Sequence, residues 1–518
     1  MSTTAALACN EIYLDANATT ALLPAAQVAM LRTLTDNYGN PGSPHGAGIR
    51  ARLELERARN AAAAVLRVPA GQLIFNSGAT EGIQTAVLSA LHTQQAGSPV
   101  RVLYGSTEHK AVPEALAHWG ELLGLNLELL AIPVDSVGRH DLDWLARHAA
   151  GAALICTMAA NNETGVITDL AGIGTIIAAQ TPRPLWLVDG VQAFGKLDID
   201  WLALGADYVP LSGHKLHAPK GSGILYVRDG APFTRLLAGG GQEGNARCGT
   251  ENLPGIAAIG AVCEALAAGE FGDPARLLAA NARLRAAVSS AFPGVVFNSP
   301  AQHCLPTTIN FSVPGVPSKR LLEVFDALGL RLSAGSACSS KTAKPSHVLM
   351  AMGLGEERAT SAIRLSISPW CDATDIDAAV ARLQLCGSIL ESQAAAMAAL
   401  EQVALPEEDQ ELSDRYAITA SQLPDWRARH APALFIDIRE PWEQAASGIC
   451  PTLDGMASEQ HPLSQLAQWL PQWPHQHSVL LACRSGRRSG QLLSHLRQQG
   501  YENVWHLAEG LAGLPQPR

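Results

Sequence analysis

Two cysteines lie in loops whose neighbouring residues suit sulfur chemistry. Cys338 lies within Ser-Ala-Gly-Ser-Ala-Cys-Ser-Ser, a run of small residues typical of a loop that can carry a thiol toward a substrate. Cys483 begins the run Cys-Arg-Ser-Gly-Arg-Arg-Ser, directly after an apolar segment. Attack on sulfur requires a thiolate, which nearby cations or a helix N-terminus stabilise. The two positions therefore predict two sulfur centres that act in series.

A second set of polar residues follows predicted β-strands elsewhere in the chain. Asn-Ser-Gly-Ala-Thr-Glu81 comes after an apolar run and opens a predicted helix, whose free N–H groups suit an anion. Asp189 and the segment Ser212-Gly-His-Lys215 each end another apolar run. A carboxylate at such a position is costly without a cationic partner. A helix N-terminus, a carboxylate and a lysine are the groups that pyridoxal 5'-phosphate requires.

Apolar strands that alternate with alanine-rich helices must position these groups. This alternation predicts an α/β fold with a mainly parallel sheet covered on both faces, and ligands beyond the carboxyl ends of its strands. After about residue 262 the pattern changes to long helices around two β-rich runs, which predicts a smaller α+β domain. The predicted strands of the large sheet are 72–75, 100–104, 153–157, 184–189, 206–211 and 223–227.

Changes in composition suggest where one domain ends and the next begins. Residues 1–400 are predicted to form one enzyme, with a large domain over about 15–262 and a small domain over about 263–400 that includes the N-terminal segment. The acidic, proline-containing stretch 401–414 is predicted as a linker, and 415–518 as a second α/β unit. About 15 flexible residues would give a root-mean-square reach of about 20 Å, enough for intramolecular transfer between the two cysteines.

Composition excludes several classes of function. The net charge is −10 and the basic residues are scattered, which argues against direct nucleic-acid binding. The N-terminus lacks the basic region of a signal peptide and no apolar run reaches about 18 residues, so we expect a cytoplasmic protein without membrane contact. The ten cysteines should stay reduced, and the absence of Cys-x-x-Cys pairs argues against a metal site. Four of them are predicted as core residues: Cys156, Cys263, Cys304 and Cys386.

Residues from about 12 to 395 carry an ordered series of motifs that resembles the cysteine desulfurases. These are class V aminotransferases within the fold type I pyridoxal phosphate enzymes, which have a large, mainly parallel sheet domain and a small α+β domain. The motifs are Tyr13-Leu-Asp-Ala-Asn-Ala-Thr-Thr20, Gly39-Asn-Pro41, Ser77-Gly-Ala-Thr-Glu81, Thr107-Glu-His-Lys-Ala-Val112, Asn161-Asn-Glu163, Asp189, Gln192, Ser212-Gly-His-Lys215, Arg247-x-Gly-Thr250 and Gly335-Ser-Ala-Cys338.

The resemblance implies a role in cofactor binding for most of these motifs. Lys215 would be the Schiff-base lysine, and Asp189 would be the partner of the pyridine nitrogen. His109 would stack on the ring and could shuttle protons. The remaining cofactor contacts would be Asn162 and Gln192 near the ring hydroxyl, Ala79, Thr80, Ser212 and His214 at the phosphate, and Thr250 at the phosphate of the other subunit in a homodimer.

The resemblance also implies a substrate and a reaction. Arg364, together with Asn162, would bind the carboxylate of L-cysteine. Cys338 would attack the substrate sulfur, which releases L-alanine and leaves a persulfide on Cys338. Lys341, Lys344 or His109 could supply the cationic surroundings that favour its thiolate.

The C-terminal unit is similar to a single rhodanese domain, an α/β fold. Cys483 lies between an apolar strand and a predicted helix, so backbone N–H groups would cradle its sulfur. Arg488 follows it after four residues, one fewer than in protein tyrosine phosphatases, and the shorter loop favours sulfur over phosphate. Asp437 and Arg439 are predicted to be structural. The resemblance implies a relay in which Cys338 is the donor and Cys483 the carrier.

Several alternatives remain open from the sequence. A selenocysteine lyase has nearly the same pocket, and a rhodanese module can serve only for partner docking. A plain aminotransferase or epimerase would not need Cys338, and a scaffold with a decayed site would not bind the cofactor. The sulfur-acceptor protein also stays unidentified: an iron–sulfur scaffold, a tRNA thiolation enzyme, a sulfur-carrier protein for molybdopterin or thiamine, and selenium metabolism are all compatible with the chain.

Overall fold

The computed structural model describes residues 11–95, 97–334, 345–392, 403, 405 and 408–514. They divide into two compact units. The first comprises Tyr13–Leu322 and Arg331–Val380, and the second comprises the described residues of Met1–Ile12, Glu323–Leu330 and Ala381–Arg518. Cys338, Lys341 and Lys344 lie outside the described residues. The domain boundaries inferred from composition stay predictions.

A seven-stranded sheet forms the centre of the first unit. Its order is β2-β8-β7-β6-β5-β3-β4, with β8 antiparallel to both neighbours and the other pairs parallel. The prediction of a mainly parallel sheet is therefore confirmed. Edge strand β4 was not predicted, because its largely exposed side chains break the continuous apolar pattern. Strand β1 is Ile12–Tyr13, and those of the sheet are β2 Leu73–Asn76, β3 Val100–Gly105, β4 Leu127–Ile132, β5 Leu154–Met158, β6 Leu185–Asp189, β7 Tyr208–Ser212 and β8 Gly223–Val227.

Both faces of this sheet are buried. Along β6, Trp186 and Val188 enter one apolar cluster, whereas Leu187 between them enters the cluster on the opposite face. Side chains that alternate between two buried faces explain why the strands read as continuous apolar runs. The helices from α1 to α8 are α1 Pro24–Thr35, α2 Gly46–Leu66, α3 Ala79–Leu91, α4 Ala111–Leu122, α5 Leu142–His148, α6 Leu170–Ala178, α7 Trp201–Leu204 and α8 Leu253–Ala267.

A smaller antiparallel sheet follows, in the order β12-β13-β10-β9. Its register places Arg364 opposite Asn310 on one side and opposite Ser333 on the other. The elements of this region are α9 Pro274–Ala291, β9 Val296–Phe297, β10 Thr308–Ser312, α10 Ser318–Ala327, β11 Leu330–Arg331, β12 Ser333–Ala334, α11 His347–Ala351, α12 Glu356–Thr360, β13 Ala362–Ser366 and α13 Ala373–Ser392.

The second unit contains a six-stranded sheet in the order β14-β19-β18-β15-β17-β16. Its strand pairs are parallel except for β16 with β17. Leu480 and Leu481 of β18 enter apolar clusters on opposite faces. Its elements are α14 Gln410–Arg415, β14 Ala417–Ile418, α15 Leu423–Arg429, β15 Ala433–Asp437, α16 Pro441–Ser447, β16 Thr452–Leu453, β17 Met456–Gln460, α17 Leu466–Trp469, β18 Ser478–Ala482, α18 Arg487–Gln498 and β19 Val504–Leu507.

Part of the stretch predicted as a linker packs against this second unit. The Asp409 side chain caps α14 by accepting the N–H of Leu412 at 3.1 Å, and the Ser494 hydroxyl donates to the Asp409 carbonyl at 3.2 Å. Val403 and Leu405 contact the apolar cluster beneath β18. Val403, Leu405 and Asp409 are therefore held by contacts with the second unit.

Three of the four cysteines predicted as core residues are fully buried: Cys156, Cys263 and Cys386. Cys304 is partly buried, with its Sγ 3.3 Å from the Thr164 carbonyl oxygen.

Within the described ranges, no helix is both long enough and apolar enough to cross a membrane. The same residues contain no group of three or more His, Cys, Asp or Glu side chains that could hold a metal ion.

Candidate active site

A cavity of about 560 Å³ lies beyond the carboxyl ends of β2, β5, β6 and β7 in the first unit. At each of these ends an apolar strand gives way to polar residues, which is where ligands collect in sheets of this kind. The cavity brings together ten residues predicted from the sequence: Ala79, Thr80, His109, Asn162, Asp189, Gln192, Ser212, His214, Lys215 and Arg364.

One end of the cavity is built to bind an anion. Gly78 has a φ of 145°, which favours glycine and lets the chain turn sharply from β2 into α3. The first backbone hydrogen bond inside α3 is made by the N–H of Gly82 to the Gly78 carbonyl at 3.1 Å. The N–H groups of Ala79 and Thr80 precede that bond, so they remain available to an anion at the helix N-terminus.

Ser212 and His214 close the same end from β7 and the turn that follows it. The Nδ1 atom of His214 lies 3.2 Å from the Thr19 hydroxyl. Burial and the neighbouring cation of Lys215 lower the pKa of His214 to about 4, so the ring is neutral near pH 7. A hydroxyl, a neutral imidazole and free backbone N–H groups together suit a phosphate.

Asp189 ends β6 as a buried carboxylate. One of its oxygens accepts the N–H of Val191 at 3.0 Å. Burial raises the pKa of Asp189, although that bond, His109 and Lys215 oppose the shift. No cation of the described chain lies within ion-pair distance of this carboxylate. An isolated buried carboxylate is costly, so the position fits a ligand with a positively charged N–H, as the pyridinium of pyridoxal phosphate has.

His109 lines the cavity at the loop before α4. Its Nδ1 atom accepts the N–H of Ala111 at 3.2 Å, so the neutral ring carries its proton on Nε2. Burial lowers the pKa of His109, and Lys215 contributes in the same direction while Asp189 opposes it. The ring is therefore neutral at pH 7, with a proton on Nε2 and an acceptor at Nδ1 that the Ala111 N–H occupies.

Lys215 places its amine against the N-terminal segment of the chain. The Nζ atom donates to the carbonyl oxygens of Asn17 and Ala18, each at 2.8 Å. Burial and the Arg364 cation together lower the pKa of Lys215 from 10.5 to about 8, against the opposing effect of Asp15 and Asp189. A lysine with such a pKa is partly neutral at physiological pH and can act as a nucleophile.

We expect the rate of covalent cofactor attachment to the apoenzyme to rise as pH increases through about 8. Only the neutral amine attacks an aldehyde, and its fraction grows tenfold per pH unit below a pKa of about 8. The measurement is borohydride trapping of pyridoxal phosphate on Lys215 at a series of pH values. A midpoint near the ordinary lysine value of 10.5 would contradict the burial effect.

Arg364 is held rigidly on β13, with 3% of its side chain exposed. Its Nη2 atom donates to an Asp15 carboxylate oxygen at 2.7 Å and to the Ser333 hydroxyl at 2.8 Å. Its Nη1 atom donates to the Asn162 carbonyl at 3.1 Å. The buried Nε has no partner among the described atoms. A fixed guanidinium at the cavity wall suits a carboxylate ligand.

One predicted residue lies apart from this cluster, another lies outside the described residues, and two residues of the cluster were missed. Thr250 is exposed and does not line the cavity, and Cys338 lies outside the described residues. Asn17 and Lys196 received no role from the sequence, yet both bond to residues of the cluster. The Asn17 side chain also donates to the Thr308 hydroxyl at 2.9 Å. Its position inside the Tyr13-to-Thr20 motif was the available signal.

The loop that holds Cys483 joins β18 to α18 in the second unit. Cys483 is fully buried, and the Ser489 hydroxyl donates to its Sγ at 3.5 Å. Gly486 has a φ of 83°, and a Cβ atom there would lie only 1.8 Å from the Ala508 carbonyl oxygen. The Leu511 N–H donates to the Cys483 carbonyl at 2.9 Å, which closes the loop from the other side.

Arg488 is fixed beside this loop by a buried carboxylate. Its Nη1 atom donates to Glu443 at 2.7 Å, and Nη2 contacts the second carboxylate oxygen. Burial works against the charge, but Glu443 and Cys483 outweigh it and raise the pKa of Arg488. A second buried ion pair lies nearby at the end of β15. The Arg439 guanidinium donates to both carboxylate oxygens of Asp437.

Comparison with known proteins gives two family matches. The class-V aminotransferase model matches residues 12–379 and the rhodanese-like domain model matches residues 419–514. The chain belongs to the class-V aminotransferase family. Its rhodanese-like domain follows the aminotransferase domain, and the family predicted from the sequence motifs is confirmed.

Curated relatives narrow the membership to the cysteine desulfurases, which depend on pyridoxal phosphate. The chain is 37% identical over 371 residues to a cysteine desulfurase of Cereibacter sphaeroides, an alignment that covers 71% of this chain and 93% of the relative. It is 36% identical over 375 residues to one from Klebsiella pneumoniae, covering 72% of this chain and 92% of the relative.

Solved structures support the same fold. A NifS-like protein matches with a TM-score of 0.67 and 31% identity, over 74% of this chain and 100% of that chain. SspA in complex with cysteine matches with a TM-score of 0.61 and 27% identity, over 70% of this chain and 100% of that chain. The predicted combination of a fold type I pyridoxal phosphate enzyme and a C-terminal α/β rhodanese domain is confirmed.

Proposed function

We propose that this chain converts L-cysteine to L-alanine, leaves the sulfur as a persulfide on Cys338, and then passes it to Cys483. The observation that carries the proposal is the convergence of Lys215, Asp189 and Arg364 on one cavity beside the N-terminus of α3. Each of these groups is costly to bury alone, and together they suit a phosphorylated cofactor and an amino-acid substrate.

The residues that would hold pyridoxal phosphate follow from the donor set. Lys215 would bind it covalently, and Asp189 would keep its ring nitrogen protonated. When bound, the cofactor supplies an electron sink for carbanion chemistry. The N–H groups at the start of α3, with the side chains of Ser212 and His214, would hold its phosphate. His109 would hold a proton on Nε2 at the cavity wall.

Substrate orientation would depend on Arg364. Asp15 and Ser333 fix its Nη2, and the Asn162 carbonyl fixes Nη1, so the guanidinium keeps one orientation. Its charge faces the same cavity as the amine of Lys215. A carboxylate bound there would place the rest of an L-cysteine molecule toward Lys215. The cysteine in the SspA structure supports this substrate class.

The sulfur step balances without an external oxidant. The Cys338 thiolate attacks the substrate sulfur, a sulfur–sulfur bond forms, and the carbon–sulfur bond breaks with its electron pair left on carbon. That carbon takes one proton and leaves as the methyl group of L-alanine. The enzyme thiol and L-cysteine thus become an enzyme persulfide and L-alanine.

A homodimer would complete the phosphate site. Helix α1 exposes Val28, Leu31 and Leu34 on one face, and α2 exposes Leu53, each more than half accessible. An exposed apolar surface of this kind fits a second copy of the chain. Thr250 is exposed outside its own cavity, so a partner subunit could receive its hydroxyl.

The rhodanese-like domain has two candidate roles. As a relay, its loop would hold a persulfide on Cys483 beside the fixed cation of Arg488. As a docking module, it would bind a partner without accepting sulfur. The complete burial of Cys483 in this structure favours docking, because a buried thiol must first become accessible to a donor. The loop length and its neighbouring hydroxyl favour the relay.

Replacing Cys483 by alanine should remove sulfur from the C-terminal domain and leave alanine production within about twofold of wild type, because its thiol acts only after the first persulfide has formed. The measurement is the radiolabel bound to residues 440–484 after incubation with 35S-labelled L-cysteine. Cys450→Ala is the matched control, since Cys450 lies in the same domain and is partly exposed. Equal label in Cys483→Ala and Cys450→Ala, or none in wild type, would leave docking as the role of this domain.

A further inference from the structure

Lys196 places a second amine beside the cavity without a counter-ion. Its Nζ donates to the Gln192 side-chain oxygen at 2.7 Å and to the Asn17 side-chain oxygen at 3.4 Å. No carboxylate of the described chain lies within ion-pair distance of it. Burial, together with the cations of Lys215 and Arg364, lowers the pKa of Lys196 to about 7.

Lys196 and the Asn17 carbonyl together orient the Gln192 amide, one at its oxygen and the other at its nitrogen. The two ends of a glutamine amide have similar shapes, so the amide can be flipped unless its partners distinguish oxygen from nitrogen. In its ammonium form the Lys196 amine only donates hydrogen bonds, and that form therefore requires the amide oxygen. The nitrogen of Gln192 consequently points away from Lys196 and donates to the Asn17 carbonyl at 3.1 Å.

This carbonyl also accepts from Lys215, which links the two lysines. The Lys215 amine lies 2.8 Å from the same Asn17 oxygen that receives the Gln192 amide. A chain of hydrogen bonds thus runs from Lys196 through Gln192 and Asn17 to Lys215. The Gln192 nitrogen has one N–H in this chain, and its second N–H is available to the cavity that Gln192 lines.

We propose that Lys196 is a positioning residue whose amine fixes the Gln192 amide so that its N–H groups, and not its oxygen, serve the cofactor side of the cavity. Such a donor would stabilise the anionic form of the ring hydroxyl of pyridoxal phosphate by a hydrogen bond. The inference rests on the proposed placement of the cofactor ring beside Gln192. It adds a residue that neither the sequence motifs nor the cavity lining assigns.

The test uses the holoenzyme and the pH titration of the absorbance of its bound cofactor. In Lys196→Met the cation and the donor to the Gln192 oxygen are both lost, so the Asn17 carbonyl alone then holds the amide in its present orientation. Loss of the cation and loss of the donor each destabilise the more negative, deprotonated form of the cofactor. The midpoint of the absorbance titration should therefore rise by about one pH unit, which is a tenfold change in the acid dissociation constant. The dissociation constant of pyridoxal phosphate, measured with the apoenzyme, should rise by about tenfold.

Two comparison variants separate positioning from general effects of charge. Lys215, Arg364 and His217 are the charged or titratable groups that interact electrostatically with Lys196. Lys196→Arg keeps both the charge and the donors and should return the midpoint and the affinity toward wild type. Asp198→Asn alters an exposed ion pair two residues along the chain and should change neither value.

A double-mutant cycle decides whether Lys196 acts through Gln192. In a Gln192→Leu background, Lys196→Met should add little to the shift already present. An equal shift in both backgrounds, or no shift in the single variant, would overturn the proposal. If Lys196→Met does not fold, Lys196→Gln carries the same comparison. Failure of the wild-type chain to bind pyridoxal phosphate at Lys215 would instead overturn the proposed function.

Discussion

Replacing Lys215 by alanine is expected to abolish covalent cofactor attachment and to lower turnover of L-cysteine by about 10³-fold or more. The Lys215 amine is the nucleophile in the cavity with a lowered pKa, and it is held by the carbonyls of Asn17 and Ala18. Alanine removes the amine but leaves Asp189 and the phosphate end in place. The measurements are borohydride trapping of pyridoxal phosphate and the rate of alanine release.

The matched control for Lys215 is Lys319→Ala, which removes an exposed lysine at the start of α10. Its turnover should stay within about twofold of wild type, as expected for a surface substitution. Lys215→Arg keeps a cation but cannot form the covalent bond, so it should be as inactive as the alanine variant. Activity above about a tenth of wild type in either Lys215 variant would contradict the assignment.

Replacing Cys338 by alanine should lower alanine release by about 10³-fold or more while leaving the bound cofactor unchanged, because the thiol would act only on the substrate sulfur. The absorbance of the cofactor, and its change when L-cysteine is added, should both persist. Rapid-scan absorbance and chromatography of alanine measure the two effects on the same sample.

Cys371→Ala is the control for loss of a thiol, because Cys371 is a partly exposed cysteine of the same unit. It should release alanine at the wild-type rate. Unchanged alanine release in Cys338→Ala would favour a plain aminotransferase or epimerase, which needs no thiol. Loss of the cofactor absorbance in that variant would indicate a structural role for Cys338 in place of a catalytic one.

The residues at strand ends could be predicted because their chemistry conflicts with their position. Asp189 is the last residue of one apolar strand, and Lys215 follows the end of another. Charged residues beside strands that are buried on both faces are costly unless they have a function or a partner. Strand β4 could not be predicted in this way. It is an edge strand that can expose side chains, so a polar residue within it does not conflict with its position. Its Glu128 pairs with Arg101 at the surface.

Contacts across long stretches of sequence could not be predicted in the same way. Asn17 and Lys215 are 198 residues apart, and only the folded sheet brings the N-terminal loop to the end of β7. The contact between Lys196 and Gln192 was easier to predict, because the two residues are four positions apart, a spacing that can bring side chains together. The cap at Asp409 was not predicted either, because acidic composition does not distinguish a capping side chain from a solvated one.

The order in which sulfur occupies the two cysteines distinguishes a relay from two independent sites. The chain is mixed with L-cysteine, quenched with an alkylating reagent at successive times, and its persulfides are mapped by mass spectrometry. We predict that the persulfide is found first on Cys338 and later on Cys483, and that Cys338→Ala carries it on neither residue. A persulfide that reaches Cys483 equally fast in Cys338→Ala, or one that never leaves Cys338 in the wild-type chain, would contradict the relay.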